Sequence, residues 1–124
     1  MSDRLVALAE AYFAAVDRMD LRATLACFTP DACFTIASFG TAYAGRDSAI
    51  RQMFERLNTR YASVWHGNFD HVAQAPDRIA SRFRVENRTF DGQLLIKNNC
   101  NFFRLRGDLF CEVFVYMSGD NSLR

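Results

Sequence analysis

Histidine is scarce in this chain of 124 residues. There are two, beside one tryptophan, two prolines and four cysteines. Cys27, Cys33, Cys100 and Cys111 form no CxxC pair, and His66 and His71 are the only imidazoles. The paired, closely spaced ligands of a tetrahedral zinc site are therefore missing, and no metal is expected. All four cysteines sit among apolar neighbours and read as small buried hydrophobes of a reducing compartment, which points to the cytoplasm. Charge of one sign is also lacking. The formal net charge is +1 and the basic residues are scattered, which is not the field of a nucleic-acid binder. Asp3, Arg4, Glu10 and Asp17 interrupt the first twenty residues, so they do not form the apolar stretch of a leader. No other run is long and apolar enough to span a bilayer.

What the chain does have is apolar bulk. Half of its residues are hydrophobic and 12 are Phe. That suffices for one buried core, and the length suits a single domain over 1–124. Leu5, Leu8, Ala9, Tyr12, Phe13 and Val16 recur with helical spacing over 3–18. Asp20 is a natural N-cap for a short helix over 20–28, ended by Thr29-Pro30. A short strand follows over 32–37. A third helix, capped by Asp47, carries Ile50, Met53, Phe54, Leu57 and Tyr61. Strands are expected over 63–74, 78–90, 93–106 and 109–118. Pro76-Asp77, Asp91-Gly92 and Gly107-Asp108 separate them. Helices first and an antiparallel meander last imply an α+β fold, with a cleft between curved sheet and helices.

The stretch SVWHGNF, residues 63–69, puts an imidazole on a strand. By its residue type alone, His66 is either a hydrogen-bonded structural residue or a general base. Imidazole ordinarily titrates at roughly pH 6.5, close to working pH. His71 lies five residues further on, so strict alternation puts it on the opposite face. Asp91-Gly92 read as a two-residue type I′ loop pairs 88 with 95, 86 with 97, 84 with 99 and 82 with 101. One face then carries Arg82, Arg84, Glu86, Lys97, Asn99 and Asn101, and the other Phe83, Val85, Ile96 and Phe102. Hydrophobic patterning alone puts the charged face in water.

The order of elements resembles the SnoaL-like proteins of the nuclear transport factor 2-like superfamily, across nearly the whole chain. AYFAAVDRMDLRATLACFTPDACF is similar to the family's opening helix pair and first strand. GRDSAIRQMF looks like its glycine-led third helix, and FFRLRGDLFCEVFVYM like its closing hairpin. The resemblance implies a cystatin-like cone: a curved antiparallel sheet packed against three N-terminal helices, closing a deep pocket. His66 falls where scytalone and bile acid dehydratases place a catalytic histidine, with Asp17 at an aspartate of the scytalone dehydratase site. Tyr12 and Asn101 fall at oxyanion-binding positions of ketosteroid isomerase. Ile36 stands where that isomerase keeps its basic carboxylate, which argues against its route. No His or Asp occurs over 81–84, where the dehydratases have a second strong partner.

The family register turns Asn101 to the pocket, and Asn99, Arg82 and Arg84 follow it. Glu112, Phe114 and Tyr116 of the last strand join them as lining. The resemblance thus implies a cofactor-independent lyase or isomerase acting on a small oxygenated compound, aromatic and carboxylated compounds both within its range. A noncatalytic ligand-binding or dimerisation module is the alternative. The superfamily's habit of pairing outer sheet faces implies a homodimer.

Overall fold

The computed structural model describes residues 2–124. Helix α1 (Ser2–Asp17) and helix α2 (Leu21–Leu25) precede strand β1 (Phe28–Ile36) and a short strand β2 (Thr41–Ala44). A π-helical turn, Gly45–Ile50, opens into α3 (Arg51–Arg60). Four strands complete the chain: β3 (Ser63–Gln74), β4 (Arg78–Arg88), β5 (Leu94–Arg106) and β6 (Leu109–Met117). The six strands make one curved, unclosed sheet in the order β2-β1-β6-β5-β4-β3. β1 runs parallel to β6 and every other pair is antiparallel. The sheet is therefore mixed, where a purely antiparallel one was expected. The α+β class holds. None of the helices among the described residues is long and apolar enough to cross a membrane.

The helical stripe forms as its spacing requires. Leu5, Ala9, Tyr12, Phe13 and Val16 are all buried against the sheet. Asp20 caps α2, its carboxylate accepting from the Ala23 backbone N–H at 3.0 Å. Phe28, Phe34, Phe103 and Phe110 are wholly buried, and four rings meet Tyr12 edge-on at 5.6–6.3 Å. Such edge contacts suit aromatic quadrupoles.

Three irregularities decide which side chains face inward. First, the β4–β5 loop has three residues, Phe90, Asp91 and Gly92. Thr89 N–H donates to Gln93 O at 2.9 Å, and Gly92 N–H to Thr89 O at 3.0 Å. Gly92 takes a φ of 91°, the left-handed position that this turn gives to glycine. The Thr89 hydroxyl secures the longer loop, accepting from Gln93 N–H at 3.0 Å and donating to Asp91. Arg84 consequently pairs with Asn98 and Phe83 with Asn99. A slip of one residue exchanges faces. Second, β3 bulges between Gly67 and Asp70, with Asn68 at a φ of 56°. Third, β6 bulges at Cys111, since Leu105 pairs with Phe110 but Arg104 with Glu112.

Candidate functional site

The first consequence is a histidine aimed at the core side of the sheet. Asp17 ends α1 and holds His66 at two points. Its Oδ2 accepts from the His66 backbone N–H at 3.1 Å, and its Oδ1 lies 2.5 Å from Nδ1. A carboxylate there fixes the proton on Nδ1 and leaves Nε2 as the accepting nitrogen. The site is largely dry, with the His66 side chain 14% exposed and that of Asp17 23%. Phe13 and Phe83 flank the imidazole at 5.1 and 5.5 Å between centroids.

His66 opens on a narrow cavity of about 40 Å³. Its apolar wall includes Phe13, Phe34, Phe54 and Phe83; its polar wall is Tyr12, Asn87, Asn99, Asn101 and His66. Asn87, Asn99 and Asn101 are buried, and each carboxamide oxygen is without a hydrogen-bond partner among the described residues. Buried polar groups are ordinarily satisfied, so three orphans around one cavity mark a place for water or ligand. Burial keeps the Tyr12 phenol protonated far above its usual range, with Cys27 and Asp17 adding to the effect.

Residues 118–124 cross the cavity, and Ser122 and Leu123 line it. Their carbonyls are held by side chains from below. Buried Lys97 donates to Ser118 O at 2.8 Å and to Asp120 O. Arg60 donates to Ser122 O at 2.8 Å and to Arg124 O, and the Tyr43 hydroxyl to Leu123 O at 3.3 Å. Burial pulls the Lys97 amine below its usual range, partly offset by Asp120.

Of the expected lining residues, Tyr12, His66, Asn99 and Asn101 do line the cavity, with Asp17 directly behind His66. Arg82 and Arg84 do not. The three-residue loop turns them to the outer face, where Arg82 pairs with Asp70 and Arg84 with Glu86, each at 2.9 Å. Glu112, Phe114 and Tyr116 also face outward, because the bulge at Cys111 moves the alternation by one residue. Glu112 lies 3.9 Å from Arg104, and Tyr116 is 53% exposed. Phe83 and Val85, expected on the outer stripe, are core residues. His71 was expected opposite His66 but shares its face. Its Nδ1 lies 2.7 Å from Ser81 Oγ and its Nε2 2.8 Å from Glu10 Oε2. Sequence reasoning missed Asn87 and Lys97. The signal for Lys97 was its period-two spacing with Asn99 and Asn101 on β5 itself, whereas Asn87 on β4 was legible only in the correct hairpin register. Among the described residues, no three His, Cys, Asp or Glu side chains cluster as metal ligands.

The three helices packed on a curved, unclosed six-stranded sheet are the fold of a SnoaL-like protein of the nuclear transport factor 2-like superfamily. The chain matches the SnoaL-like domain over residues 9–113 and belongs to that family. Among solved structures it is similar to a candidate polyketide cyclase from Xanthomonas campestris pv. campestris. That match has 22% identity and a TM-score of 0.84, covering 93% of this chain and 90% of that one. A candidate aromatic ring hydroxylase from Novosphingobium aromaticivorans is 28% identical, with a TM-score of 0.76 and coverage of 95% and 90%. An NTF2-like protein from Anabaena variabilis is 19% identical, with a TM-score of 0.79 and coverage of 98% and 94%. No curated protein matches the chain.

Proposed function

We propose that the cavity is the active site of a cofactor-independent lyase or isomerase acting on a small oxygenated, ring-containing compound. The observation that carries this is the 2.5 Å contact between Asp17 Oδ1 and His66 Nδ1, with His66 in the cavity wall. Nε2 takes a proton from carbon beside a carbonyl. Asp17 stabilises the imidazolium that results and holds its orientation. The protonated Tyr12 phenol and the Asn101 amide donate to the enolate oxygen. The imidazolium then returns the proton, to another carbon in an isomerisation or to a departing hydroxyl in a dehydration. The aromatic wall and the candidate activities of the structural relatives support a ring-containing compound.

Exchange of the α-protons of acetophenone with D2O tests the base directly. Wild type is expected to catalyse it. His66→Ala and Asp17→Asn are expected to lower the rate by about 100-fold or more. An unchanged rate in His66→Ala would end the catalytic reading.

One observation favours the noncatalytic alternative. Ser81, one strand along from His66, is wholly buried and bonded to His71, so it supplies no second acid or base to the cavity. A pocket that binds but does not turn over would show ligand-induced stabilisation with no exchange.

Two further assignments belong to the same proposal. The outer sheet face exposes Trp65, Leu94, Ile96, Phe102 and Tyr116, and we assign it to a homodimer contact. The four cysteines are unbonded, which suits the reducing cytoplasm.

A further inference from the structure

We propose that residues 118–124 form a lid, that a ligand reaches His66 by lifting it, and that Lys97 and Arg60 are its latches. The inference rests on the cavity being the ligand site, as proposed above. It goes beyond that reading by naming the way in.

The closed cavity sets the problem. Its volume of about 40 Å³ has room for about three waters, too little for a substituted ring. Part of the wall must therefore move before a ring compound can bind. Every lining residue but Ser122 and Leu123 stands on a helix or strand. Those elements are fixed by their own backbone hydrogen bonds. Residues 118–124 form neither helix nor strand. Among the described residues, no backbone–backbone hydrogen bond ties them to the rest of the chain. Segments without such bonds open at low free-energy cost.

Side chains hold the lid instead. Lys97 of β5 donates to the carbonyls of Ser118 and Asp120, Arg60 of α3 to those of Ser122 and Arg124, and Tyr43 of β2 to that of Leu123. Ser118 Oγ also accepts from the Asn98 backbone N–H at 2.9 Å. The lid lies so close over Lys97 that a Cβ at Gly119 would come within 3.1 Å of Nζ. Leu123 packs against the core. A ring that displaces it restores the apolar contact, which offsets the cost of opening.

Lys97 is the chain's only lysine. Acylation of its amine by acetic anhydride, located by peptide mass mapping, therefore reads how often the lid is open. Binding of 4-fluoroacetophenone, followed by 19F NMR, reads access to the cavity. Apparent affinity scales with the binding-competent fraction of the protein, so the two readouts should move together. Arg60→Met removes two latching bonds and lies outside the cavity wall. It is expected to speed Lys97 acylation about tenfold and to tighten binding by a similar factor. Tyr43→Phe, a second variant, removes one bond and should shift both readouts the same way by about threefold. Faster acylation with unchanged or weakened binding in the folded variants would overturn the lid as the way in. So would unchanged acylation in both. Binding that follows the lid, with no acetophenone exchange in wild type, would overturn the catalytic proposal and leave the lid standing. Exchange that persists while binding ignores both variants would overturn the lid and leave the catalytic proposal standing. Neither binding nor exchange in any of the three proteins would overturn both.

Discussion

His66 and His71 stand on one face of β3 although five residues separate them. The bulge at residues 67–70 restores the phase that an odd spacing would otherwise lose. Both imidazoles therefore meet α1, where Asp17 and Glu10 lie two turns apart on one side of the helix. The middle and the C-terminal end of the helix are thus each tied to the strand by a histidine–carboxylate contact. The two contacts differ in burial: Glu10 is half exposed, while Asp17 is largely covered.

The Glu10 tie should consequently be weak and the Ser81 tie strong. Glu10→Gln is expected to cost about 0.5 kcal/mol, as for an exposed pair. His71→Ala is expected to cost about 2–3 kcal/mol, because it strands the buried Ser81 hydroxyl and opens a void. Urea unfolding of the two variants checks the ranking, and equal losses would refute it.

Gly67 holds the other side of the same strand. A Cβ there would lie 2.2 Å from Cζ2 of Trp65 and 2.4 Å from its Cη2. Gly67→Ala should push the indole off the strand. Trp65 is half exposed and can swing, so the expected loss is about 1 kcal/mol, at the low end for overpacking. The chain has one tryptophan, so a red shift in fluorescence reports the displacement without ambiguity. An unshifted spectrum with unchanged stability would show that the contact does not constrain the site.

Much of the fold was legible because it depends on period and composition. The α1 stripe, the Asp20 cap and the four-strand meander follow from spacing alone. The faces of the strands were not legible, because each rests on a single irregular residue. Thr89 lengthens the loop before β5, Asn68 bulges β3 and Cys111 bulges β6. Each reverses the facing of one strand, or part of one, relative to its neighbour, which is why Arg82, Arg84, Glu112, Phe114 and Tyr116 left the expected pocket. Asn99 and Asn101 stayed in it because the family resemblance placed β5 independently of the loop. Asp17 was found the same way, since nothing in the helical pattern marks the last residue of α1 as a partner for a strand.

The segment over the cavity should open when Lys97 loses its amine. Lys97→Met keeps most of the buried stem and removes the donors to Ser118 and Asp120. Amide exchange at residues 118–124 is expected to quicken by about tenfold, matching the loss of roughly 1.4 kcal/mol of local hydrogen bonding. Global stability should change little, since a desolvated charge is removed at the same time. Hydrogen-exchange mass spectrometry resolves the two; equal protection in both proteins would mean that Arg60 and Tyr43 alone hold the segment.

Alkaline pH should act through Tyr12. Burial raises its folded-state pKa above the unfolded value of about 10. Above that pH the unfolded chain loses the phenolic proton and the folded chain keeps it, so stability declines with rising pH. It is fully present below about pH 10, and its steepest decline is about 1.4 kcal/mol per pH unit. Tyr12→Phe should flatten that part of the profile between pH 10 and 11.5. The same slope in both proteins would assign it to other groups.

The outer sheet face makes the last case. Ile96 and Phe102 of β5 lie near Trp65 and Tyr116 in exposure, and ion pairs such as Arg82–Asp70 and Arg104–Glu112 share the surface. Exposed apolar residues on a sheet face with paired charges around them suit a second copy of the same face, because a twofold contact sets each apolar row against its equivalent. A negative charge at Ile96 would have to be desolvated twice in such a contact, once per copy. Ile96→Glu is therefore expected to raise the dimer dissociation constant by at least 100-fold, about 2.7 kcal/mol. The monomer should keep its melting behaviour, since Ile96 is half exposed within the single chain. Sedimentation equilibrium of wild type and variant measures both states. A wild type that sediments as a monomer at micromolar concentration would remove the dimer, and a variant that still dimerises would move the contact to another surface.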